Sequence, residues 1–240
     1  SSTETFKTSF DLESDILKEL IDKTYFASSN EETRYYLNGL YIHTASSNNK
    51  NYLRAVATDG HRLAQYQIKS PDTIAKDNFG VIVPKKLIFE LRKLIDDVKE
   101  NVRIDLSERK IRFSFKETII ISKLVDGKFP DYEKVIPKNI SNTFSINRKK
   151  FLESINRIST ISSEKSKAIK LNLNKDKITI SANNLEEGGS GVEEINIKYN
   201  GPSLDIGFNS GYLKEIINQF TLEEITILFS DSTARTIIKD

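Results

Sequence analysis

The chain has 240 residues, 38% of them hydrophobic, and its 36 basic and 34 acidic residues give a formal net charge of +2. This length corresponds to one large domain or two ordinary ones, each with a packed core. No cysteine is present, which excludes disulfides, thiolate metal sites and thiol nucleophiles. The nearly balanced charge argues against strong, static DNA binding, because proteins that grip many phosphates usually carry a clear basic excess.

No stretch approaches the roughly 20 consecutive apolar residues that a membrane helix needs. The polar segment Ser1–Phe10 also lacks the apolar region of a signal peptide. We therefore expect a cytoplasmic protein that has no membrane partner.

Four segments carry apolar residues at helical spacing and are predicted to form amphipathic helices. The first two are 14–23 and 84–96, the second with Pro84 in its first turn. Asn147 and Asn209 are predicted N-caps of the third and fourth, because asparagine accepts hydrogen bonds from the first turn of a helix. The apolar stripes contain Ile16, Leu17, Leu20 and Ile21; Leu87, Ile88, Leu91, Leu94 and Ile95; Phe151, Leu152, Ile155 and Ile158; and Tyr212, Leu213, Ile216 and Ile217.

Between the helices lie short runs rich in β-branched and aromatic residues, which predict strands. They are Tyr52–Ala57, Ile111–Phe115, Thr118–Ser122, Lys177–Ser181, Glu193–Tyr199 and Thr226–Phe229. A unit of one helix and a few antiparallel strands thus recurs four times, which predicts an α+β fold built from repeated units. The segment 136–142, rich in Pro and Asn, is the predicted boundary between domains 1–139 and 140–240.

Basic residues lie on the polar faces of the predicted helices. They are Lys18, Lys86, Lys93, Lys149, Lys150, Arg157 and Lys214. Acidic residues such as Asp15, Glu19, Asp22 and Asp96 share these faces, which favours an ordinary solvated surface. The alternative is a helix-lined surface that faces a polyanion. Periodicity alone leaves both interpretations open.

Asp59 and His61 lie in a predicted turn that follows a strand, since Asp59-Gly60 is a turn signal. An Asp–His pair with a serine nucleophile elsewhere would make a hydrolase conceivable. The chain has no G-x-S-x-G nucleophile elbow, however, and residues so close on a turn rarely point at each other correctly. His43 is the only other histidine, so a multi-histidine metal site is excluded.

Two further segments contain turn residues. The glycine-rich run 187–191 lacks the Lys-Ser/Thr of a phosphate-binding loop, and we interpret it as a hairpin tip. The segment Phe129–Tyr132 is either a rigid linker or part of a peptide-binding patch. In the second case Pro130, Val135, Leu63 and Leu37 would form an apolar surface rimmed by His61 and Arg62, a composition typical of small interfaces.

Several motifs resemble the bacterial sliding clamp family, the beta subunit of DNA polymerase III. Arg34–Gly39, Ala55–Ala64 and Leu124–Tyr132 are similar to its second domain. Ser163–Lys165, Ile180–Asn184 and Ile206–Asn209 are similar to its third domain. The motifs occur in the family's order and span nearly the whole chain. The family's first domain and its C-terminal tail have no counterpart in the printed sequence, so we expect this chain alone to form no closed ring and to have an incomplete peptide pocket.

The resemblance implies a DNA-clamp fold in which each domain has two helices backed by antiparallel sheet. In the family, two subunits close head to tail into a ring, and the helices line a hole around duplex DNA. The resemblance therefore places the basic helix faces toward DNA, the full-length protein in a homodimer, and the loop containing Thr160 and Ile161 at the contact between subunits. It implies no catalysis, no cofactor and no metal.

The resemblance also implies a pocket for short hydrophobic peptides of DNA polymerases, the clamp loader and repair proteins. Carried over by motif, its residues are Leu37, Thr58, Gly60, His61, Arg62, Leu63, Pro130, Lys134, Val135, Thr233 and Arg235. Lys134 stands where many family members have arginine. A sequence-independent DNA-binding module that forms no ring remains the alternative function.

Overall fold

The computed structural model describes residues 5–163, 165–184 and 188–240. Glu164 of the Ser163–Lys165 motif and Glu187 of the glycine-rich run lie outside the described residues. The chain divides into two compact units, Ser1–Pro130 and Asp131–Asp240. The boundary predicted after residue 139 stays a proposal. None of the helices in the described residues is long and apolar enough to cross a membrane.

The first unit combines α-helices with antiparallel sheet. In chain order its elements are β1 (Thr8–Glu13), α1 (Ser14–Asp22), β2 (Gly39–Ser47), β3 (Lys50–Thr58), β4 (Leu63–Lys69), β5 (Gly80–Pro84), α2 (Lys85–Leu94), β6 (Asn101–Leu106), β7 (Lys110–Phe115) and β8 (Thr118–Lys123). Short 3-10 helices cover Tyr25–Ala27, Glu32–Leu37 and Asp72–Ile74. The sheets have the strand orders β1-β6-β7-β8 and β4-β3-β2-β5.

The two halves of this unit exchange strands. β1 precedes α1 but pairs with β6, which follows α2, and β5 precedes α2 but pairs with β2, which follows α1. The alternation of strand residues places one face of each sheet on the core, as in Ile111, Phe113 and Phe115 of β7. The buried stripe of α1, with Leu17, Leu20 and Ile21, packs in the same core. The predicted unit of one helix with antiparallel strands is therefore confirmed, with strands shared between neighbouring units.

The second unit repeats this arrangement. Its elements are a 3-10 helix at Tyr132–Val135, β9 (Asn142–Asn147), α3 (Arg148–Ser159), β10 (Ala168–Asn174), β11 (Lys177–Asn184), β12 (Gly189–Asn196), β13 (Leu204–Asn209), α4 (Ser210–Ile217), β14 (Glu224–Phe229) and β15 (Ile237–Lys239). The sheets have the strand orders β12-β11-β10-β13 and β15-β14-β9. Both predicted caps are confirmed: Asn147 Oδ1 accepts from Lys150 N at 3.0 Å, and Asn209 Oδ1 accepts from Tyr212 N at 3.1 Å.

Two local predictions differ from the structure. Pro84 is the last residue of β5 and the N-cap of α2, so the helix begins one residue later than predicted. β12 begins at Gly189, four residues before the predicted Glu193, because it pairs with β11 as far as Asn184. The glycines of this run therefore belong largely to a strand. At Gly191 a Cβ would collide with the side chain of Ile161, so glycine here permits close packing.

A buried carboxylate stabilises the sheet that contains β6. Asp105 is 3% exposed. Its Oδ1 accepts a hydrogen bond from Ser9 Oγ at 2.6 Å, and its Oδ2 accepts from Arg112 Nε at 2.9 Å. Arg103 Nε lies 3.4 Å from Oδ1. Burial raises the pKa of Asp105, but the Ser9 hydroxyl and the Arg112 and Arg103 guanidinium groups together outweigh it, so the pKa lies below the usual aspartate value.

Replacing Asp105 with asparagine is expected to lower the free energy of unfolding at pH 7 by about 2 kcal/mol, because charged hydrogen bonds are lost in a buried position. Since the folded-state pKa is depressed, the contribution is present above the unfolded pKa of about 4 and is lost as pH falls through the folded pKa. Urea unfolding of the wild type and Asp105→Asn at pH 7 and pH 3 measures both effects. The exposed Asp77→Asn is the control, and equal stability of the two variants at pH 7 would contradict the prediction.

Candidate functional site

The loop that joins β3 to β4 is held as a tight turn by the side chain of Asp59. Asp59 Oδ1 accepts hydrogen bonds from the backbone N–H groups of His61 at 2.8 Å and Arg62 at 3.0 Å. Gly60 has a φ of +91°, a conformation that strains any residue with a side chain. Thr58 Oγ1 accepts from Gly60 N at 3.1 Å and donates to Arg62 O at 2.6 Å. The predicted turn is confirmed, and it presents the exposed side chain of His61.

Arg62 connects this turn to Phe26, elsewhere in the first unit. Its guanidinium pairs with Asp59 Oδ2 at 3.3 Å, donates to the carbonyl oxygen of Phe26 at 3.1 Å and lies over the Phe26 ring at 5.3 Å. The side chain is only 11% exposed. Sequence reasoning assigned Arg62 to contacts with a bound peptide, and that role stays a prediction. The structure adds a positioning role that depends on Phe26, which lies 36 residues away in the sequence.

The hydrogen bonds of the Asp59 carboxylate are relevant to the hydrolase alternative, in which Asp59 would pair with His61. They occupy both oxygens of the Asp59 carboxylate with N–H groups that fix the turn. In the part of the chain that the structure describes, no group of three His, Asp or Glu residues could hold a metal ion. The geometry around Asp59 thus supports a structural role for this residue.

Arg34 is a residue of this region that sequence reasoning missed as a functional candidate. A Cβ on Gly60 would lie 2.7 Å from Arg34 Nη1, so the guanidinium covers the glycine. Arg34 belongs to the 3-10 helix Glu32–Leu37, and its Nε pairs with Glu31 at 3.0 Å. The buried Leu37 ends this helix. The 3-10 helix that ends at Leu37 therefore lies against the Thr58–Leu63 loop. The family motif Arg34–Gly39 was the sequence feature that could have identified Arg34 as a candidate.

The remaining candidate residues of the peptide site are largely exposed. Pro130 ends the first unit and is exposed. In the second unit, Lys134 pairs with Asp131 at 2.9 Å and the next residue, Val135, is 38% exposed. Near the end of that unit, Thr233 Oγ1 donates to Asp231 Oδ1 at 2.7 Å. Arg235, two residues further along, is exposed.

The Thr233 hydroxyl lowers the pKa of the Asp231 carboxyl, and the backbone N–H groups of Thr233 and Ala234 lower it further. Because its carboxylate accepts from both N–H groups, Asp231 orders the turn that precedes Arg235.

In the first unit, α1 and α2 lie side by side, joined by Arg92, whose Nε and Nη2 donate to the Asp22 carboxylate at 2.7 and 2.9 Å. Lys18 of α1 also takes part in this contact. Its Nζ donates to Asp15 at 3.0 Å and to the carbonyl oxygen of Asp96, which follows α2, at 2.8 Å. Its side chain is only 12% exposed. Lys86 and Lys93 are exposed on α2. Lys93 Nζ lies 3.8 Å from Glu90 Oε1 and 3.9 Å from the centre of the Phe89 ring, both on the same helix, and its side chain remains 57% exposed. The two exposed lysines are therefore the better candidates for contact with a polyanion.

In the second unit the basic residues divide in the same way. Lys149 and Lys150 are exposed in the first turn of α3. Arg157 forms a two-pronged ion pair with Glu193 of β12, at 2.6 and 2.8 Å, and this pair lowers the pKa of Glu193. Lys214 Nζ donates to Ser159 Oγ at 3.2 Å. Arg157 and Lys214 thus have partners within their own unit.

The loop after α3 contains the predicted subunit-contact residues. Thr160 Oγ1 donates to Arg157 O at 2.7 Å. Ile161 is partly buried and lies over Gly189 and Gly191 of β12. Val192, the next residue of that strand, is 64% exposed. The structure thus joins the loop to an edge strand that presents an apolar side chain.

Comparison with known domain families matches most of the first unit and nearly all of the second. The central domain of the DNA polymerase III beta subunit matches residues 11–131. The C-terminal domain of the same subunit matches residues 133–240. Among curated relatives, the beta sliding clamp of Caulobacter vibrioides is 42% identical over 221 residues, 92% of this chain and 59% of the relative. That of Pseudomonas putida is 40% identical over 229 residues, 95% of this chain and 61% of the relative.

Solved structures show the same similarity. The sliding clamp of Bartonella birtlesii bound to griselimycin has a TM-score of 0.95 and 41% identity, covering 100% of this chain and 64% of that one. The sliding clamp of Pseudomonas aeruginosa, also bound to griselimycin, has a TM-score of 0.92 and 36% identity, covering 99% of this chain and 63% of that one. The chain therefore has the sliding-clamp fold and spans less than two thirds of each of these relatives.

Proposed function

The chain belongs to the DNA polymerase III beta subunit family, and from this membership we propose that it is part of a processivity factor that encircles duplex DNA. The observation that carries the proposal is the match of its entire length to sliding clamps, with a TM-score of 0.95 and 41% identity. The proposed protein works without catalysis, as a homodimeric ring in the bacterial cytoplasm. It tethers the replicative polymerase, other DNA polymerases, the clamp loader and repair proteins to the template.

The net charge of the chain supports a topological mechanism. A closed ring cannot leave DNA sideways, so it needs no tight phosphate contacts, and such contacts would impede sliding. A formal charge of +2 over 240 residues is low for a protein that holds DNA by charge alone. The proposed contact with DNA is made by the exposed lysines of the helix faces, Lys86, Lys93, Lys149 and Lys150. Lys18, Arg157 and Lys214 share those faces but contribute less. Lys18 and Lys214 are partly buried, and Arg157 forms a two-pronged ion pair with Glu193. The contact of the exposed Lys93 with Glu90, by contrast, is long, at 3.8 Å.

The proposed peptide site combines apolar residues with the rigid turn after β3. Leu37, Leu63, Pro130 and Val135 supply apolar contact, and Thr58, Gly60, His61 and Arg62 form the turn beside it. Lys134, Thr233 and Arg235 of the second unit are carried over from the family motifs as further proposed peptide-binding residues. Since griselimycin is bound to the clamps of Bartonella and Pseudomonas, we propose that it also binds this protein. We further propose that it occupies the peptide site, and it serves below as a defined probe.

The ring proposal is tested by the topology of the DNA. The full-length protein, loaded by its clamp loader onto a nicked circular plasmid, is expected to remain with the DNA during gel filtration. Cutting the plasmid once should release most of the protein, because it slides off the new ends. A module that binds DNA without encircling it would remain equally on circular and linear plasmid. That outcome would overturn the ring proposal in favour of the DNA-binding module.

A further inference from the structure

The segment Val125–Pro130 is attached to the first unit at three places. Val125 N donates a hydrogen bond to Ile82 O of β5 at 2.9 Å. A side chain on Gly127 would meet the Cβ of Tyr36 at 3.2 Å, so the backbone lies directly against the 3-10 helix Glu32–Leu37. The Phe129 ring stacks on Tyr41 of β2, with 4.6 Å between centroids and 11° between planes. The segment ends at Pro130, one of the proposed peptide-contacting residues.

The ring that receives Phe129 belongs to a longer stack. Tyr41 also stacks on His43, with centroids 4.7 Å apart and planes 21° apart. Tyr41 and His43 are two residues apart on β2, so they share the face of the sheet opposite the core residues Leu40 and Ile42. His43 is 9% exposed and Phe129 is 6% exposed. Strand β2 thus presents a stacked pair of rings, the buried His43 and the partly buried Tyr41, and the Phe129 ring lies on Tyr41.

The surroundings of Tyr41 allow this arrangement. The Tyr41 hydroxyl lies beside Gly80 of β5, where any Cβ would collide with it. β2 and β5 pair so that Gly80 is opposite His43. Burial raises the pKa of Tyr41, in agreement with a phenol covered by the segment and its neighbours. A glycine on the neighbouring strand therefore makes room for the ring that supports Phe129.

We propose that the stack His43–Tyr41–Phe129 is a positioning element of the peptide site, which fixes Pro130 for contact with a bound peptide without touching the peptide itself. The inference rests on the proposed function. Phe129 is covalently next to Pro130, so its stacking restricts the backbone immediately before the contact residue. Without the stack, the end of the segment would lose its ring contact with β2, and the Val125 hydrogen bond and the close packing of Gly127 lie further from Pro130 in the sequence. The peptide would then have to order Pro130 as it binds, at a cost in affinity.

The test compares griselimycin binding to full-length variants by isothermal titration calorimetry. Tyr41→Leu is expected to weaken binding about three- to tenfold, the effect of losing an aromatic pair, and Tyr41→Phe should bind as the wild type does. Phe129→Leu removes the other ring, leaves β2 intact and should weaken binding equally. Tyr52→Leu, on the same sheet but away from the stack, is the matched control. Leu63→Ala is the comparator for loss of a direct contact.

A second readout separates positioning from general stability. In the free protein, amide hydrogen exchange at residues 125–129, just before Pro130, should be faster in Tyr41→Leu than in the wild type, while the core strand β3 exchanges unchanged. Wild-type affinity in both Tyr41→Leu and Phe129→Leu would overturn the positioning role and leave the peptide site standing. A weakening no greater than that of Tyr52→Leu would do the same. Failure of the wild type to bind griselimycin would overturn the peptide site, and this inference with it.

Discussion

Asp59→Ala is expected to weaken griselimycin binding by the full-length protein at least tenfold, although Asp59 is not among the proposed contact residues. Its carboxylate accepts the N–H groups of His61 and Arg62 at 2.8 and 3.0 Å, and it pairs with the Arg62 guanidinium at 3.3 Å. Alanine removes all three bonds at once. Tenfold corresponds to about 1.4 kcal/mol, less than the gross strength of three hydrogen bonds to a charged acceptor.

The size of the effect follows from how much of the site one side chain arranges. The turn fixes the backbone direction of His61, the φ of Gly60 and the start of β4 at Leu63. Arg62 would also lose its ion pair with Asp59, and because its side chain is only 11% exposed, water could replace that partner only in part. A loosened turn must be ordered again by the peptide, which reduces affinity by the cost of that ordering.

Calorimetric titration of griselimycin into wild type, Asp59→Ala and Asp59→Asn measures this effect. Asparagine retains an oxygen for the two backbone N–H groups but loses the charge that pairs with Arg62, so intermediate affinity is expected. Asp77→Ala, at an exposed position of the same unit, should leave affinity unchanged. Wild-type affinity in Asp59→Ala would show that the turn does not organise the site. Hydrolytic turnover lost on His61→Ala would instead support the hydrolase alternative.

The helices of this fold could be predicted because their signals are local. The apolar spacing around Leu17 and Leu20 and the asparagine caps at Asn147 and Asn209 depend on residues within one or two turns. The sheet partners could not be predicted in this way. β1 pairs with β6 across about 90 intervening residues, and no local pattern records which distant strand completes a sheet.

The candidate site shows the same division between local and distant information. The Asp59-Gly60 turn could be predicted from its residue types, whereas the contact of Arg62 with Phe26 depends on the folded chain. The helix surface gives a second example. Arg157 is an exposed basic residue on the polar face of α3, as its spacing predicts, and only the structure shows its ion pair with Glu193 of β12. For the proposed peptide site, local composition gave an apolar patch containing Leu63 only as one of two interpretations, and the family motifs were needed to choose it.

The exposed lysines of the helix faces give the prediction with the largest expected effect on DNA binding. The quadruple variant Lys86→Glu, Lys93→Glu, Lys149→Glu and Lys150→Glu should weaken binding of duplex DNA to the full-length protein at least about 100-fold at low salt. Each lost phosphate contact changes the slope of log K against log salt by about 0.9. We expect a wild-type slope shallower than about −5, as sliding requires, and a slope near zero in the variant.

The matched control changes four exposed lysines of strands and turns to glutamate, at positions 50, 69, 123 and 175. Both quadruple variants have the same net charge, so the comparison isolates where the charge lies. Fluorescence anisotropy of a labelled duplex at several salt concentrations measures the affinity and the slope. If the control loses as much affinity as the helix-face variant, total charge governs binding and the helices have no special role. If only the helix-face variant loses it, the attraction is confined to the faces that the ring proposal places around DNA, because a sliding ring needs weak attraction inside and none outside.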